Sequence, residues 1–445
     1  MKKQFMICAA VAATLFSACS PEQEDFFSDS SANRADQTIV EDMKVLTSAP
    51  NGWAMKYFPS RSQSYGGFNF VVSFNNDGKV TFSGEPDIAG ETTKKETSLY
   101  SVSQSSGVVL SFDSYNAIFS KMADPGAPIA GSAGEGMGGD NEFSILSACA
   151  DSVVLKGRAS GNRAVLYPMA EGQSWSDYLD SLGEVDGVMY GSSYTLVMGT
   201  DSFSVATDMR GLTITYIEDG NYVDTYASYI ITKDGMEFYS PLELNGKKIN
   251  GFKLDQDGDK KFTCVNDESV QLLVDPINKQ FVHSLWGCAK ENMSEYGQRY
   301  WKQWENAQKN ATYFPGEIAL ACFGAIGRSF GFVIDIYDEA TQDENLGIVY
   351  YTYELVGDDE VILTCTTTGD DYGSMMYADG CNYGCFPFGV LTPLHFKLSS
   401  DNLKKGIDLQ CLSEIKVGLK KYNNDFHLTK QFTLWPLRDP ADRED

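Results

Sequence analysis

The sequence predicts a mainly β protein made of consecutive antiparallel modules, each a β-sandwich or a calycin-like barrel and each preceded by a short helix. Apolar and polar residues alternate in many short runs, which is typical of half-buried strands. Tight turns such as Asp77-Gly78 and Asp234-Gly235 separate these runs and indicate hairpins. Helical patterns occur only ahead of a new set of strands, so the βαβ order of a parallel sheet is absent. Alternation alone does not distinguish a sandwich from a barrel, and both stay open.

The first module is predicted over residues 36–172. Apolar residues from Ile39 to Leu46 recur at helical spacing behind Asp36, a residue suited to cap a helix, and Pro50-Asn51-Gly52 ends the pattern. Alternating runs follow, and the turns between them predict an antiparallel meander. The predicted strands centre on Phe68–Phe74, Val80–Phe82, Tyr100–Val102, Val108–Phe112, Phe143–Ile145 and Val153–Leu155.

The second module is predicted over residues 173–288. Ser174 caps a helix that ends at Gly183, and alternating runs follow this helix. A stretch that begins at Tyr229 is similar to one that begins at Tyr100 in the first module. The sequence therefore indicates a weak internal duplication.

The third module is predicted over residues 289–437, and residues 438–445 form a C-terminal tail. Asn292 and Glu295 have the spacing of a capping box, so a helix is expected to begin here. Strands are expected after the helix, at Phe330–Ile336 and Val349–Leu355.

Residues 1–18 have the pattern of a signal peptide. Two lysines precede an apolar run at 5–16, which is about half of the ~20 residues that a membrane-spanning helix needs. Two small residues stand directly before Cys19, as lipoprotein processing requires. The sequence therefore predicts cleavage before Cys19, lipidation of its thiol and membrane attachment through the lipid. The alternative is an ordinary signal peptide followed by a coincidental cysteine.

Residues 19–35 are predicted to form a lipidated polar tether. Its acids Glu22, Glu24 and Asp25 resemble the export signal of surface lipoproteins in Bacteroidetes, which predicts an outer-membrane location at the cell surface. The alternative is a solvated linker on a lipoprotein that faces the periplasm. The formal net charge of −26 makes nucleic acid and anionic lipid unsuitable partners.

The sequence contains no recognisable catalytic motif, metal site or cofactor-binding motif. Its three histidines lie far apart, and neither H-E-x-x-H nor G-x-S-x-G occurs. Asp255, Asp257 and Asp259 alternate as at the start of a calcium loop, but Lys260 and Asn266 stand where that loop needs Gly and Glu. Carboxylates that pair only in space cannot be found from spacing, so a glycosidase-like secreted hydrolase is one alternative.

Of the ten cysteines, only Cys381 and Cys385 have a spacing with local meaning. The Asn-Tyr-Gly between them could form a turn that brings the two thiols within bridging distance. Either a Cys381–Cys385 disulfide or isolated buried thiols are expected here, and isolated thiols are expected for most of the others outside the leader and the anchor.

A glycine-rich segment at 126–139 is the candidate ligand loop. A long loop inside a compact β domain is commonly either a functional lid or a disordered surface segment. Tyr115, Asp140 and Glu142 flank the loop and combine an aromatic ring with hydrogen-bond acceptors, a mixture suited to a glycan or a peptide. Trp301, on the predicted helix of the third module, could stack on a sugar ring, with a position in the core as the alternative.

Short motifs, concentrated in about the first 170 residues, carry a family resemblance. They are Gly52-Trp53 with Tyr57, Gly66-Gly67, Leu110–Asn116, Asp124-Pro125, Gly138-Gly139-Asp140 with Glu142-Phe143, and Leu155-Lys156-Gly157. This combination resembles an uncharacterised Bacteroidetes surface lipoprotein family, a domain of unknown function found beside starch-utilisation-type uptake loci. The similarity extends from about Asp36 through the middle segment, and no motif matches after Asn292.

The resemblance implies a non-enzymatic surface lipoprotein that captures or presents a ligand for a nutrient-uptake complex. Its implied partners are an outer-membrane transporter and the binding lipoprotein of that transporter. It implies no catalytic residues and no cofactor, and an adhesion or structural surface module stays open as another alternative.

Overall fold

The structure is a computed structural model that describes residues 31–126, 136–189, 193–218, 220–255, 261–338, 340–390 and 392–431. The signal peptide, Cys19, most of the tether and the central part of the glycine-rich segment lie outside these residues. The described chain forms three closed antiparallel barrels of eight strands each. This confirms the mainly β prediction and selects the barrel over the sandwich.

Eight strands form the first barrel: β1 Trp53–Tyr57, β2 Phe68–Phe74, β3 Lys79–Gly84, β4 Glu96–Ser105, β5 Gly107–Phe112, β6 Glu142–Cys149, β7 Ser152–Gly157 and β8 Arg163–Pro168. Pairing between β1 and β8 closes it. Aromatic rings fill its interior, among them Phe82 and Phe119, which stack with centroids 4.6 Å apart. Short helices lie at Pro86–Ala89 and Ser120–Met122.

The helix that precedes the first barrel extends over Ser31–Leu46, so it begins before Asp36. The Leu46 carbonyl accepts a hydrogen bond from the Trp53 indole nitrogen at 2.8 Å. Leu46 and Trp53 are both fully buried. The end of the helix is thus fixed to the start of β1, where the barrel begins.

Eight strands also form the second barrel: β9 Ser193–Met198, β10 Asp201–Asp208, β11 Gly211–Glu218, β12 Asn221–Thr232, β13 Gly235–Leu244, β14 Lys247–Leu254, β15 Lys261–Cys264 and β16 Asp267–Val274. Pairing between β9 and β16 closes it. The helices Trp175–Asp180 and Gly183–Met189 precede it. Ser174 caps the first helix by accepting a hydrogen bond from Asp177 N at 3.0 Å. That helix already ends at Asp180, so Gly183 begins the next helix instead of ending this one.

The third barrel is formed by β17 Leu285–Gly287, β18 Glu317–Ile326, β19 Ser329–Asp338, β20 Asp343–Val356, β21 Glu360–Gly369, β22 Leu394–Ser399, β23 Ile407–Cys411 and β26 Phe426–Lys430, while β24 Ile415–Val417 and β25 Lys420–Tyr422 form a separate two-stranded sheet. The helix Ile277–Val282 precedes it. Its first strand begins ahead of residue 289, where the sequence predicts the third module to start.

The helix predicted near Asn292 is present at Glu295–Gln308, but its cap is Ser294. It follows β17 and precedes β18, so it lies within the third barrel's chain rather than ahead of it. Packing accounts for this position, because Trp304 on the helix is fully buried against Phe332, with ring centroids 5.6 Å apart. A one-turn helix at Lys290–Asn292 comes directly before it.

Cys381 and Cys385 lie in a run of short helices rather than in the turn that their spacing could form. The helices in this part of the chain span Asp371–Met376, Tyr377–Cys381, Asn382–Cys385 and Phe386–Phe388. Both cysteines are fully buried free thiols, in contrast to the disulfide that their spacing allowed. The helical backbone carries them into the core of the third barrel, where burial raises the pKa of the Cys385 thiol well above its usual value.

The first and second barrels contact each other along β2 and β12. Gly67 N donates a hydrogen bond to the Tyr229 carbonyl at 2.9 Å, and the Asn69 side-chain amide donates to the Ile231 carbonyl at 3.0 Å. A Cβ atom on Gly67 would lie 2.7 Å from the Ile230 side chain, so this close approach requires glycine.

An ion-paired cluster, which we name the junction, connects all three barrels. It consists of Arg210 from the second barrel, Glu85 and Asp87 beside β3, Asp186 from the helix before β9, and Lys404 from the third barrel. Arg210 Nη1 lies 3.1 Å from Glu85 Oε1, and Nη2 lies 3.2 Å from Asp186 Oδ1. Lys404 Nζ lies 2.6 Å from Asp87 Oδ1 and 3.1 Å from Asp186 Oδ2.

Candidate functional site

The candidate site is a cleft between the outer faces of the first two barrels, which we name the inter-barrel cleft. Strands β1, β7 and β8 form one wall, and β12 and β13 form the other. The cleft encloses about 180 Å³. Its lining residues are Lys56, Phe58, Ser152, Val154, Arg163, Val165, Tyr167, Ile230, Glu237, Phe238 and Tyr239.

Strand alternation explains why the first barrel presents these side chains to the cleft. Arg163, Val165 and Tyr167 occupy every second position of β8, and the two residues between them are fully buried inside the barrel. Lys56 on β1 is the register partner of Val165. The outer face of two neighbouring strands therefore carries two cations, one aromatic ring and an apolar floor.

Tyr239 reaches the cleft at an irregular point of β13. The register between β13 and β14 shifts between Glu237 and Leu242, and such irregularities re-aim side chains. The Tyr239 ring meets the Phe58 ring edge to face with centroids 5.0 Å apart. The Tyr239 hydroxyl accepts a hydrogen bond from Arg163 N at 3.3 Å. Tyr239 therefore contacts the first barrel at both its ring and its hydroxyl.

An ion pair between Lys56 and Glu237 crosses the cleft from β1 to β13. The two side chains are 24% and 53% exposed, so water reaches both charges. The Lys56 ammonium also lies 5.6 Å from the centre of the Tyr167 ring, a cation–π distance. With Arg163, the lining residues include two cations and one carboxylate.

A second cavity of about 230 Å³ adjoins the inter-barrel cleft at Tyr239, which lines both. It lies between the loop that follows β1 and the β12 and β13 strands of the second barrel. Tyr226 lines it, is 45% exposed, and donates a hydrogen bond from its hydroxyl to the Gln63 carbonyl at 3.3 Å. The two cavities thus contain three tyrosines, Tyr167 from the first barrel and Tyr226 and Tyr239 from the second.

The first-barrel wall of the cleft offers side chains rather than free backbone groups. Strand β1 pairs with β2 and β8, β12 pairs with β11 and β13, and β13 pairs with β12 and β14. Strand β1 is therefore bonded on both sides over its whole length, whereas β12 pairs with β11 over residues 221–228 and with β13 over residues 229–232. An apolar floor with rings and a few polar groups is the usual composition of a small-molecule site.

Tyr115 and Glu142 lie on the surface of the first barrel and do not line the inter-barrel cleft. Tyr115 is 59% exposed and donates a hydrogen bond to Asp124 Oδ2 at 2.7 Å. The Glu142 carboxylate lies 3.6 Å from the Arg158 guanidinium. Because residues 127–135 of the loop expected to close over them lie outside the described part of the chain, ligand binding by Tyr115 and Glu142 stays a prediction.

Asp140 is buried in the first barrel, with only 2% of its surface exposed. Its carboxylate accepts hydrogen bonds from the Tyr57 hydroxyl at 2.8 Å and from the backbone nitrogens of Ala159 and Ser160 at 2.6 and 3.0 Å. In return, Asp140 N donates to the Tyr57 hydroxyl oxygen at 2.7 Å. Burial, with the Asp140 charge next in size, raises the pKa of Tyr57 well above its usual value. Since protein groups occupy the Asp140 oxygens, its role is structural, and the predicted ligand contact is corrected here.

Trp301 belongs to the core of the third barrel. It is 8% exposed, and its ring meets Trp304 edge to face with centroids 5.3 Å apart. The core alternative therefore applies to both tryptophans, and the predicted stacking of Trp301 on a sugar is corrected. Trp301 also lies in a different barrel from Tyr115, Asp140 and Glu142.

Sequence reasoning missed Lys56, Arg163, Tyr167 and Tyr239. The alternation of Arg163, Val165 and Tyr167 with small or apolar residues is visible in the sequence and does indicate one outward face. Which outward faces of two barrels meet is set by non-local packing, however, and no alternation pattern contains that information.

A metal centre is not formed by the described residues, because no group of three or more His, Cys, Asp or Glu side chains among them is arranged to hold an ion. In the same part of the chain, no helix combines the length and the apolar character needed to cross a membrane.

Fold and cleft together define a class of protein: a chain of closed antiparallel barrels with a tyrosine-lined cleft between the first two. Residues 23–256, more than half of the chain, match the family described as Domain of unknown function (DUF4302), and the chain belongs to this family. Every residue that lines the inter-barrel cleft, from Lys56 to Tyr239, lies within the match. The third barrel lies outside it. No curated protein matches the chain.

Solved structures similar to this chain include three components of DNA polymerases. They are the DNA polymerase III β subunit of Thermotoga maritima at 9% identity, the DNA polymerase β subunit of Streptococcus pyogenes at 10%, and the DNA polymerase sliding clamp of Pseudomonas aeruginosa at 10%. Each comparison covers 89% of this chain and 98% of the other. The TM-score is 0.13 in all three, which is too low to support an argument about fold or function.

Proposed function

We propose that this chain is an exported surface lipoprotein that binds a glycan in the inter-barrel cleft without changing it chemically. It would capture or present that glycan for an outer-membrane uptake complex that contains a transporter and its binding lipoprotein. The observation that carries the proposal is the tyrosine-lined cleft, which lies wholly within the region shared by the family. The anchor at Cys19 and the surface location rest on the sequence pattern at residues 1–25.

The tyrosines favour a glycan as the ligand. Tyr167 is 43% exposed and Tyr226 is 45% exposed, so both keep ring surface available for contact. Tyrosine has few rotatable bonds, so it provides a large contact area at a small entropic cost, and its hydroxyl forms hydrogen bonds. A sugar ring presents apolar C–H faces and a rim of hydroxyl groups, which match the rings and the polar groups of the cleft.

An extended peptide is the less suitable ligand. Peptides that bind to sheets usually add a strand to a free edge, where backbone hydrogen bonds supply affinity. On the first barrel, β1 is paired with β2 and β8 along its whole length, so this wall of the cleft offers no such edge. Recognition here depends on side chains, which suits a compact polar ligand.

Binding is favoured over glycoside hydrolysis by the acids that line the cleft. Most glycosidases place two carboxyl groups about 5 to 10 Å apart on either side of the bond they cleave. Glu237 is the one carboxylate among the lining residues of the inter-barrel cleft, and Lys56 already pairs with it. A lone, paired carboxylate lacks the acid and base partners that the reaction needs.

The proposal is tested by titrating a panel of soluble oligosaccharides and peptides into the full-length lipidated chain in detergent, with calorimetric detection. At least one oligosaccharide is expected to bind, and Tyr167→Ala and Tyr239→Ala should each weaken it roughly two- to tenfold. Tyr167→Phe should retain most of the affinity, because it keeps the ring.

Tyr222→Ala is the matched control, since Tyr222 is 77% exposed on the second barrel and lines neither cavity. It should leave the affinity unchanged. Binding of peptides alone, or equal effects of Tyr222→Ala and Tyr167→Ala, would contradict the proposed site. Shortened products in the same incubations, analysed by mass spectrometry, would instead support the hydrolase alternative.

The anchor is tested separately with Cys19→Ala, which should release the chain from membranes into the soluble fraction. Retention after a high-salt wash would contradict lipid attachment. Changing Glu22, Glu24 and Asp25 together to Ala should reduce protease access on intact cells while leaving lipidation intact, because these acids are proposed to direct surface export.

A further inference from the structure

The charge of the inter-barrel cleft is opposite in sign to the charge of the whole chain. The chain has a formal net charge of −26, yet the residues that line the cleft include two cations and one carboxylate. An excess of positive charge in a polar recess is the arrangement that attracts an anionic group on a ligand.

Only one of the two cations is available to such a group. Lys56 is paired with Glu237 across the cleft. Within the described part of the chain, no carboxylate forms an ion pair with Arg163, whose side chain is exposed at the start of β8. The backbone nitrogen of Arg163 is held at 3.3 Å by the Tyr239 hydroxyl, which fixes the base of the side chain to the cleft wall.

Arg163 also lies beside a ring that can support a sugar. Arg163 and Tyr167 are on the same outward face of β8, and Val165 between them is part of the apolar floor. Successive outward positions on a strand are about 6 to 7 Å apart, so Arg163 and Tyr167, two such steps apart, are separated by about 13 Å. An oligosaccharide of two or more sugars over the floor can therefore contact the tyrosine and the guanidinium together.

We infer that the cleft binds an acidic glycan, in which Arg163 recognises an anionic substituent of a sugar ring while Tyr167 contacts the sugars beside it. This inference rests on the proposed function and names its ligand class. The planar guanidinium of arginine donates two parallel hydrogen bonds to a carboxylate, which lysine cannot do. A hexuronate carboxylate and a sugar sulfate share this chemistry, and the flat carboxylate fits the fork of one arginine.

The test uses oligogalacturonides and glucuronate-containing oligosaccharides, each compared with its own methyl ester. Esterification removes the charge and leaves the sugar backbone in place, so the pair isolates the role of the carboxylate. A sulfated oligosaccharide of similar length forms the second arm. Calorimetry on the full-length chain should show the free acid binding about tenfold or more tightly than its ester, with a smaller difference at high salt.

Arg163→Gln should abolish the preference for the acid over the ester, and Arg163→Lys should restore only part of it. Arg158→Gln is the matched control, because it removes the same charge from the same barrel at a residue that pairs with Glu142 and lies outside the cleft. Arg158→Gln should leave the preference intact. Circular dichroism of both variants checks that the exposed substitutions leave the fold unchanged.

The outcomes separate the inference from the proposed function. If acid and ester bind equally, and Tyr167→Ala still weakens both, the acidic-glycan inference is wrong and the glycan-binding proposal stands. If the sulfated oligosaccharide alone shows the dependence on Arg163, the ligand carries a sulfate rather than a carboxylate. If no oligosaccharide binds, both are overturned.

Discussion

The two ends of the contact between the first and second barrels hold ion pairs in opposite surroundings. At the junction, the Arg210 and Glu85 side chains are 9% and 5% exposed. At the inter-barrel cleft, Lys56 and Glu237 are 24% and 53% exposed. One interface therefore contains a buried ion pair, Arg210–Glu85, and a solvent-accessible one, Lys56–Glu237. The two pairs are expected to differ in what they contribute to stability and to ligand binding.

Burial works to lower the pKa of Arg210, but the negative charges of Glu85 and Asp186 outweigh it and raise the pKa. The Arg210 guanidinium also donates a hydrogen bond to the Gly67 carbonyl at 2.7 Å and lies 4.9 Å from the centre of the Phe68 ring. A buried charge is tolerated only when it is paired and hydrogen-bonded, so these contacts specify one arrangement of the two barrels.

We expect the two ends of the interface to have different roles. The junction fixes the relative position of the barrels, and Lys404 connects the third barrel to the same cluster. The other end can then stay open and keep polar side chains exposed to a ligand. Rigid support behind a binding surface lowers the entropic cost of binding, because the site needs no reorganisation.

The largest effect on stability is expected from breaking the buried Arg210–Glu85 pair. Arg210→Met leaves the Glu85 carboxylate buried without its cation, and removal of one partner from a buried pair typically costs about 3–5 kcal/mol. The free energy of unfolding of the full-length chain, measured by urea titration with tryptophan fluorescence, should fall by this order. Glycan affinity at the cleft should also fall, since the barrels lose the contact that positions them.

The double variant Arg210→Met with Glu85→Gln provides the control, because it removes both charges and keeps a side-chain oxygen that can accept the hydrogen bonds from Asn69 N and Nδ2. It should recover a substantial part of the lost stability. A single variant as stable as the unmodified chain, or a double variant less stable than the single one, would show that the pair does not hold the barrels together.

A smaller effect is expected at Asp140, a carboxylate enclosed within one barrel. Asp140→Asn replaces one carboxylate oxygen, which accepts hydrogen bonds from either the Tyr57 hydroxyl or the Ser160 backbone nitrogen, with an NH₂ group that cannot accept them. The unsatisfied buried groups should cost about 1–3 kcal/mol of unfolding free energy, measured in the same urea titration. Glycan affinity should stay unchanged, because Asp140 does not line the cleft.

Glu142→Gln is the matched control for Asp140→Asn, since Glu142 is an exposed acid two residues away. It should change stability by less than about 0.5 kcal/mol. If Asp140→Asn weakened glycan binding at unchanged stability, Asp140 would be a ligand-binding residue, as its position in the sequence first indicated.

Local patterns in the sequence were sufficient to predict many of the elements. Ser174 and Asp177 have the spacing of a helix cap, and they form it. Asp77-Gly78 lies at the turn between β2 and β3, as its composition indicated. These rules act over a few residues, so the sequence expresses them directly. Barrel closure is different, because it depends on pairing between β1 and β8, more than a hundred residues apart.

The candidate site was harder to predict for the same physical reason. Asp140 stands beside glycines in the sequence, a position that predicts access for a ligand. Tyr57, 83 positions away, instead donates a hydrogen bond to the Asp140 carboxylate. Trp301 on an amphipathic helix could have faced solvent or core, and the packing of Trp304 decides for the core. Arg163 and Glu237 belong to different barrels, and only the contact between those barrels brings them to one cleft.

The smallest effect on stability is expected from breaking the solvent-accessible Lys56–Glu237 pair. This variant is the sharpest test of the difference between the two ion pairs. Lys56→Met removes the cation that pairs with Glu237, but both side chains are partly hydrated, and exposed pairs typically contribute about 0–1 kcal/mol. Unfolding free energy should therefore change by less than about 1 kcal/mol. The Arg163-dependent preference for an acidic glycan should weaken, because the lining of the cleft then contains one cation and one carboxylate that has lost its partner. Glu237→Gln should strengthen that preference for the opposite reason. If Lys56→Met instead destabilised the chain as much as Arg210→Met, both pairs would be structural, and the distinction between a fixed end and a binding end of the interface would be wrong.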